Sequence, residues 1–135
     1  MKTPELAVIT GGSNGIGAAT ARLFASRGHR VAILDVNRER GEKLVQALSA
    51  GGAGARYYDC DVADAKAVDA VAARVEKDLG PAQILVTSAG LIPNTESIMD
   101  MDLEAHERMW QVNYNGLIGW TMEGQGNDVW LMPVN

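Results

Sequence analysis

Cysteine is almost missing from this chain. Cys60 stands alone among 135 residues, so no internal disulfide can form. That scarcity fits a reducing compartment. The neighbours of Cys60 are Asp59 and Asp61, neither basic nor histidine, so the thiol reads as a buried structural one rather than a nucleophile. Long apolar runs are missing too: none approaches the roughly 20 residues that span a bilayer. The N-terminus, Met1 to Pro4, runs into a short apolar stretch and then glycines, without the apolar region and cleavage site of a secretory signal. Positive charge is in deficit. Twelve Lys and Arg against 17 Asp and Glu leave a net charge of −5, which argues against nucleic acid or an anionic membrane as a partner. Histidine is limited to His29 and His106, with no ligand spacing around either, so no metal site is expected. Nucleophile elbows and lysine-bearing phosphate loops are absent as well. These absences together suggest a cytoplasmic protein with neither nucleic-acid nor membrane partners.

What is present suffices for one domain, with 47% apolar and 21% charged residues. Strand and helix patterns alternate. Residues 6–10 and 31–35 are continuous apolar runs, as strands covered on both faces are. Shorter strands are expected at 56–59 and 84–87. Helical patterns fill 16–27, which has Ala19, Leu23 and Phe24 among its apolar positions and Gly28 as its cap, and 38–50, with Leu44, Ala47 and Leu48 inward. A third helix at 64–79 carries Val68, Val71, Ala72, Val75 and Leu79 on one clean face. Asp102 caps a further helix running to about Asn115. Such alternation predicts an α/β fold, a Rossmann-type doubly wound parallel sheet. The sheet is expected to be incomplete, with four to five strands. After Gly116 the period fades, and 129–132 reads as a fifth short strand or an irregular tail. The expected organisation is a nucleotide-binding half over 1–118 and a divergent tail over 119–135.

The most informative run is Thr10-Gly11-Gly12-Ser13-Asn14-Gly15-Ile16-Gly17, between a strand and a helix. That geometry brings backbone N–H groups and a helix N-terminus up to a pyrophosphate. Asp35 closes the second apolar run, where a carboxylate accepts both hydroxyls of an adenosine ribose and repels a 2′-phosphate. This favours NAD over NADP, although Arg38 offers a cation that NADP would need.

The spacing of Thr10, Gly11, Gly15 and Gly17 resembles the short-chain dehydrogenase/reductase family rather than the tighter Gly-x-Gly-x-x-Gly of other dinucleotide folds. Three further motifs follow in the family's order. Asp61-Val62 resembles the pair that holds the adenine ring. Ser88-Ala89-Gly90 resembles the end of an Asn-Asn-Ala-Gly turn, with Thr87-Ser88 departing from the paired amides. Val112-Asn113-x-x-Gly116 resembles the tetrad asparagine and its following glycine. The likeness spans about residues 4 to 118. It implies cofactor contacts from Gly11, Ser13, Asn14, Gly15, Ile16 and Gly17 at the pyrophosphate, Asp35 at the ribose, Asp61 and Val62 at the adenine, and Ser88, Ala89 and Gly90 near the nicotinamide ribose. It further implies a nicotinamide-dependent oxidoreductase of a small alcohol or ketone, polyol-like or 3-oxoacyl-like.

The resemblance also implies a catalytic Ser and a Tyr-x-x-x-Lys pair, in which a lysine lowers the pKa of a proton-donating phenol. The tyrosines here are Tyr57, Tyr58 and Tyr114, and the residues four further on are Asp61, Val62 and Ile118. Tyr57 and Tyr58 read as core or rim, and Tyr114 as facing a neighbouring helix. Asn113 is the one tetrad member present; its implied task is to kink its helix and hold a water of a proton relay. The expectation is a chain that binds cofactor and turns over little or nothing. The alternative is a non-catalytic subunit or truncated remnant that associates through the 102–116 helix, as a homo-oligomer or with a related full-length chain. A methyltransferase shares the strand–loop–helix plan, with different glycine spacing.

Overall fold

The structure, a computed structural model, describes residues 4–92 and 97–123. Four parallel strands form its centre, β1 (Leu6–Thr10), β2 (Arg30–Asp35), β3 (Ala55–Asp59) and β4 (Ile84–Thr87), in the order β3-β2-β1-β4. Alternate side chains of β1 divide between two cores, as the two-residue period of a strand dictates. On one face Ala7 and Ile9 join Val31 and Ile33 against Ala18 and Ala21 of α1 (Gly15–Ser26) and Leu44 of α2 (Arg38–Ala50). On the other, Leu6 and Val8 join Ala32, Leu34 and Tyr58 against Val68, Val71 and Val75 of α3 (Ala65–Leu79) and Trp120 of α5 (Gly116–Glu123). The doubly wound α/β plan therefore holds, with four strands among the described residues. The strand expected at 129–132 lies outside them.

Sequence periodicity located the helices well and their faces less well. In α1 the small residues Gly17, Ala18 and Ala21 face the sheet, while Leu23 is 50% exposed. Arg27 caps this helix, one residue before the expected cap Gly28, which follows at φ 84. In α2 Leu44 is buried and Leu48 packs beside it, but Ala47 is exposed and Val45 takes its place. The α3 face lands as expected, and Asp64 caps the helix by accepting from the amides of Lys66 and Ala67.

Asp102 accepts from the amides of Glu104 and Ala105 and starts α4 (Leu103–Trp110). The helix does not run evenly onward. Residues Gln111–Asn115 widen into a π-helical turn, and α5 continues from Gly116. The segment GLIGWTME of α5 is apolar around most of its circumference, so it lacks the one-sided period that marks a surface helix. The boundary expected after residue 118 falls inside α5. No helix among the described residues is long and apolar enough to cross a membrane.

Candidate functional site

Strands β2 and β4 flank β1, with Leu34 and Thr87 both in register with Thr10. The chain winds outward through β2 and β3 on one side of β1, then returns to β4 on the other, so a crevice opens at the carboxyl ends where the order reverses. Gly11 is the crossing point. It sits at φ 62, and a Cβ built on it would lie 2.7 Å from the Ala89 backbone. The exits of β1 and β4 thus touch backbone to backbone. Thr10 Oγ1 accepts from the amides of Ser88 and Ala89 at 3.2 and 3.3 Å. This bond ties the central strands through main-chain donors, so it needs no side-chain amide at Thr87 or Ser88. A Cβ on Gly17 would collide with the Gly11 carbonyl, so α1 starts hard against the strand exit.

The amides that open α1 are left unpaired by side chains. Its N-cap, Asn14, is extended and makes no side-chain capping bond, and the first turn holds no acid. By contrast α2, α3 and α4 are capped by Asn37, Asp64 and Asp102. The N-terminus of α1 therefore keeps its partial positive charge facing the crevice. Beside it the buried Ser13 hydroxyl has no hydrogen-bond partner among the described residues. Buried polar groups are nearly always satisfied, and an acceptor-rich pyrophosphate would satisfy this hydroxyl and the open amides together. Asn14, Gly15 and Ile16 are exposed around the same turn, Ile16 by 80%.

Asp35 closes the site on the β2 side. Its Oδ2 accepts from the Ser13 amide at 3.1 Å and its Oδ1 from the Asn37 amide at 3.0 Å. These two bonds fix the carboxylate against the glycine loop. The Tyr57 hydroxyl donates to the Asp35 carbonyl at 2.6 Å. Burial, helped by the charge of Asp59, pushes the Tyr57 phenol up to about 12, so it remains a donor across the working pH range.

Asp61 and Val62 lie where β3 leads into α3. The Asp61 carboxylate accepts from the Ala63 amide at 3.0 Å and from Arg108 of α4 at 2.7 Å. Burial opposes its charge, but Arg108 and the amide outweigh that and hold its pKa below the ordinary value. Sequence reasoning missed Arg108, because no spacing rule links positions 47 apart. Val62 is buried and packs on Gly116, where a Cβ would lie 2.7 Å from a Val62 methyl.

Asn113 occupies the middle of the π-helical turn. Its Oδ1 accepts from the Leu91 amide at 2.7 Å and its Nδ2 donates to the Leu91 carbonyl at 2.8 Å. One side chain thus clamps the loop that carries Ser88, Ala89 and Gly90. Tyr114 does not face a neighbouring helix. It is 49% exposed and stacks on Trp110, four residues earlier, with ring centres 4.7 Å apart, as i,i+4 neighbours on a helix surface do. Tyr58 is buried and donates to Asp78. Cys60 is buried, and burial with the charge of Asp61 raises its thiol to about 11, as an inert structural cysteine requires.

The comparisons agree with this geometry. Residues 5–124 match the family model described as short chain dehydrogenase. A 2,3-dihydro-2,3-dihydroxybenzoate dehydrogenase of Bacillus subtilis is 40% identical over 113 residues, covering 84% of this chain and 43% of that protein. Short-chain dehydrogenase reductase 5 of Arabidopsis thaliana is 42% identical over 113 residues, 83% of this chain and 42% of the relative. The chain thus spans about two-fifths of the length of the curated relatives it matches. Among solved structures, L-sorbose reductase from Gluconobacter frateurii, complexed with NADPH and L-sorbose, superposes with a TM-score of 0.82 at 31% identity, over 90% of this chain and 46% of that one. A variant of actinorhodin polyketide ketoreductase with NADPH gives 0.86 at 27% identity, over 93% and 49%. With its crossed strand exits, uncapped first helix and matching family model, the chain belongs to the short-chain dehydrogenase family of oxidoreductases.

Proposed function

We propose that this chain binds a nicotinamide dinucleotide, NAD in preference to NADP, and serves the interconversion of a small alcohol and ketone. The observation that carries the proposal is the uncapped N-terminus of α1, opening beside the orphaned Ser13 hydroxyl with the Asp35 carboxylate fixed alongside. On this reading the amides of 15–17 and Ser13 hold the pyrophosphate, Asp35 accepts the ribose hydroxyls, and Asp61 and Val62 flank the adenine. Ser88, Ala89 and Gly90 form the floor toward the nicotinamide, braced by Asn113. When bound, the nicotinamide ring supplies hydride chemistry. The preference for NAD rests on Asp35, a carboxylate with no ion-pair partner among the described residues. The two structural neighbours above carry NADPH, and they support the cofactor class rather than the choice within it.

Within these 135 residues no tyrosine precedes a lysine by four positions. The chain on this reading binds cofactor and leaves proton transfer to other groups. The test is titration of the purified chain with NADH, following energy transfer from tryptophan to nicotinamide, for the native chain and Asp35→Ala. Hydrogen bonds to a charged group are worth about 1.5–3 kcal/mol, so NADH should bind roughly ten- to a hundredfold more weakly to the variant. Equal affinity in both would refute the assignment of Asp35. A sustained hydride-transfer rate that is lost in Asn113→Ala would refute the non-catalytic reading.

One observation favours the second reading, association through α4 and the turn after it. Leu103 is 73% exposed, Trp110 51% and Tyr114 49%. Large apolar groups grouped on one surface mark an interface, here with a second copy or a related longer chain.

A further inference from the structure

We infer that Glu42 and Asp59 form a second layer of cofactor selection, by holding Arg38 away from the place that the 2′-phosphate of NADP would occupy. The inference rests on the NAD reading above and extends it from Asp35 to three further residues. Arg38 opens α2, three residues past Asp35. Its Nη1 donates to Glu42 at 3.2 Å and its Nη2 to Asp59 at 3.3 Å. The guanidinium lies 5.8 Å from the centre of the Tyr57 ring, whose hydroxyl bonds the carbonyl of Asp35 itself. The cation therefore stands beside the end of β2 and yet serves two other carboxylates.

Strand register explains the competition. Asp59 is the partner of Asp35 across β2 and β3, and neighbouring strands run about 4.8 Å apart. Both side chains leave the sheet from partnered register positions, and of the two carboxylates it is Asp59 that holds the Arg38 guanidinium. Among the described residues the Asp35 carboxylate accepts from two amides and pairs with no cation. A 2′-phosphate at the same place would meet Asp35 and Asp59 with Arg38 already committed. The side chains of Arg38, Glu42 and Asp59 are 62%, 53% and 54% exposed. Exposed pairs are individually weak, so the network biases Arg38 rather than locking it, and the effect is a modest factor.

The test compares dissociation constants of NADPH and NADH for the native chain, for E42Q/D59N, and for the triple variant R38A/E42Q/D59N. The substitutions at Glu42 and Asp59 keep side-chain shape, and NADH affinity reports whether the fold survives. In the native chain NADPH should bind more weakly than NADH. The double variant should lower the NADPH/NADH ratio about three- to tenfold, through tighter NADPH, and removal of Arg38 should abolish that gain. A gain that persists without Arg38 means that the carboxylates act by repulsion alone, and the proposal fails. An unchanged ratio in the double variant overturns it equally, with the NAD reading intact. A native ratio below one overturns the NAD reading, and this proposal with it.

Discussion

Arg108 shows how much one residue can contribute without any motif around it. It reaches from α4 to Asp61 and carries part of the link between that helix and the start of α3. Because the folded-state pKa of Asp61 is depressed, the stabilisation it brings is complete above the unfolded carboxyl value of about 4 and is lost as pH falls through the folded value. Arg108→Gln should therefore unfold at lower urea than the native chain at pH 7. The difference should stay below about 1 kcal/mol, because both partners are partly exposed. It should shrink as pH falls through the folded Asp61 value, where the native carboxyl is protonated too. Urea midpoints measured between pH 3 and 7 check this, and a difference that does not change with pH would assign Arg108 a packing role instead. Tyr57 is a contrasting case. Its phenol is held at about 12 against the Asp35 carbonyl, so it serves as a brace for β2 across the same pH range.

At the scale of elements, the π-helical turn of Gln111–Asn115 is the least regular feature and the one that organises the site. One extra residue in the turn places Asn113 against Leu91 with both amide atoms engaged and leaves Tyr114 outside. Removing the clamp in Asn113→Ala should cost about 1–2 kcal/mol for two partly solvated bonds. It should also speed amide exchange at Leu91 and Gly90 while leaving β1 and β2 protected; uniform loss of protection would mean that Asn113 supports the whole fold. Much of this architecture was legible in advance. The strands β1 and β2 announced themselves as unbroken apolar runs because helices cover both faces, and α3 as a single valine face because its other side is wet. Asp64 and Asp102 were legible caps. The π-helical turn was not, since an inserted residue leaves no mark on composition, and α5 was not, since a helix apolar on most sides has no dominant face. In the site, the glycine loop and Asp35 were legible because their spacing is set by backbone geometry. Arg108, the Arg38–Asp59 pair and the clamp on Leu91 depend on contacts between distant segments that only the folded chain brings together.

For the molecule as a whole, the same helix that touches the cofactor crevice also presents its most apolar surface. Asn113 and Arg108 face inward to Leu91 and Asp61, while Leu103, Trp110 and Tyr114 are turned to solvent. Stacked aromatics of this size serve as interface anchors, since they bury much area at small entropic cost. If a second copy docks there, the docking surface and the adenine side of the crevice share one element, and whatever factor docking imposes on cofactor affinity, cofactor imposes equally on docking. Trp110→Glu puts a charge at the centre of that surface without touching Asn113 or Arg108. In sedimentation at micromolar protein, the native chain should show a concentration-dependent dimer and the variant a monomer. The NADH dissociation constant of the native chain should fall as protein concentration rises through the dimerisation range, and that of the variant should stay constant. A native chain that remains monomeric at every concentration would remove self-association and leave a longer related chain as the partner to test on the same face.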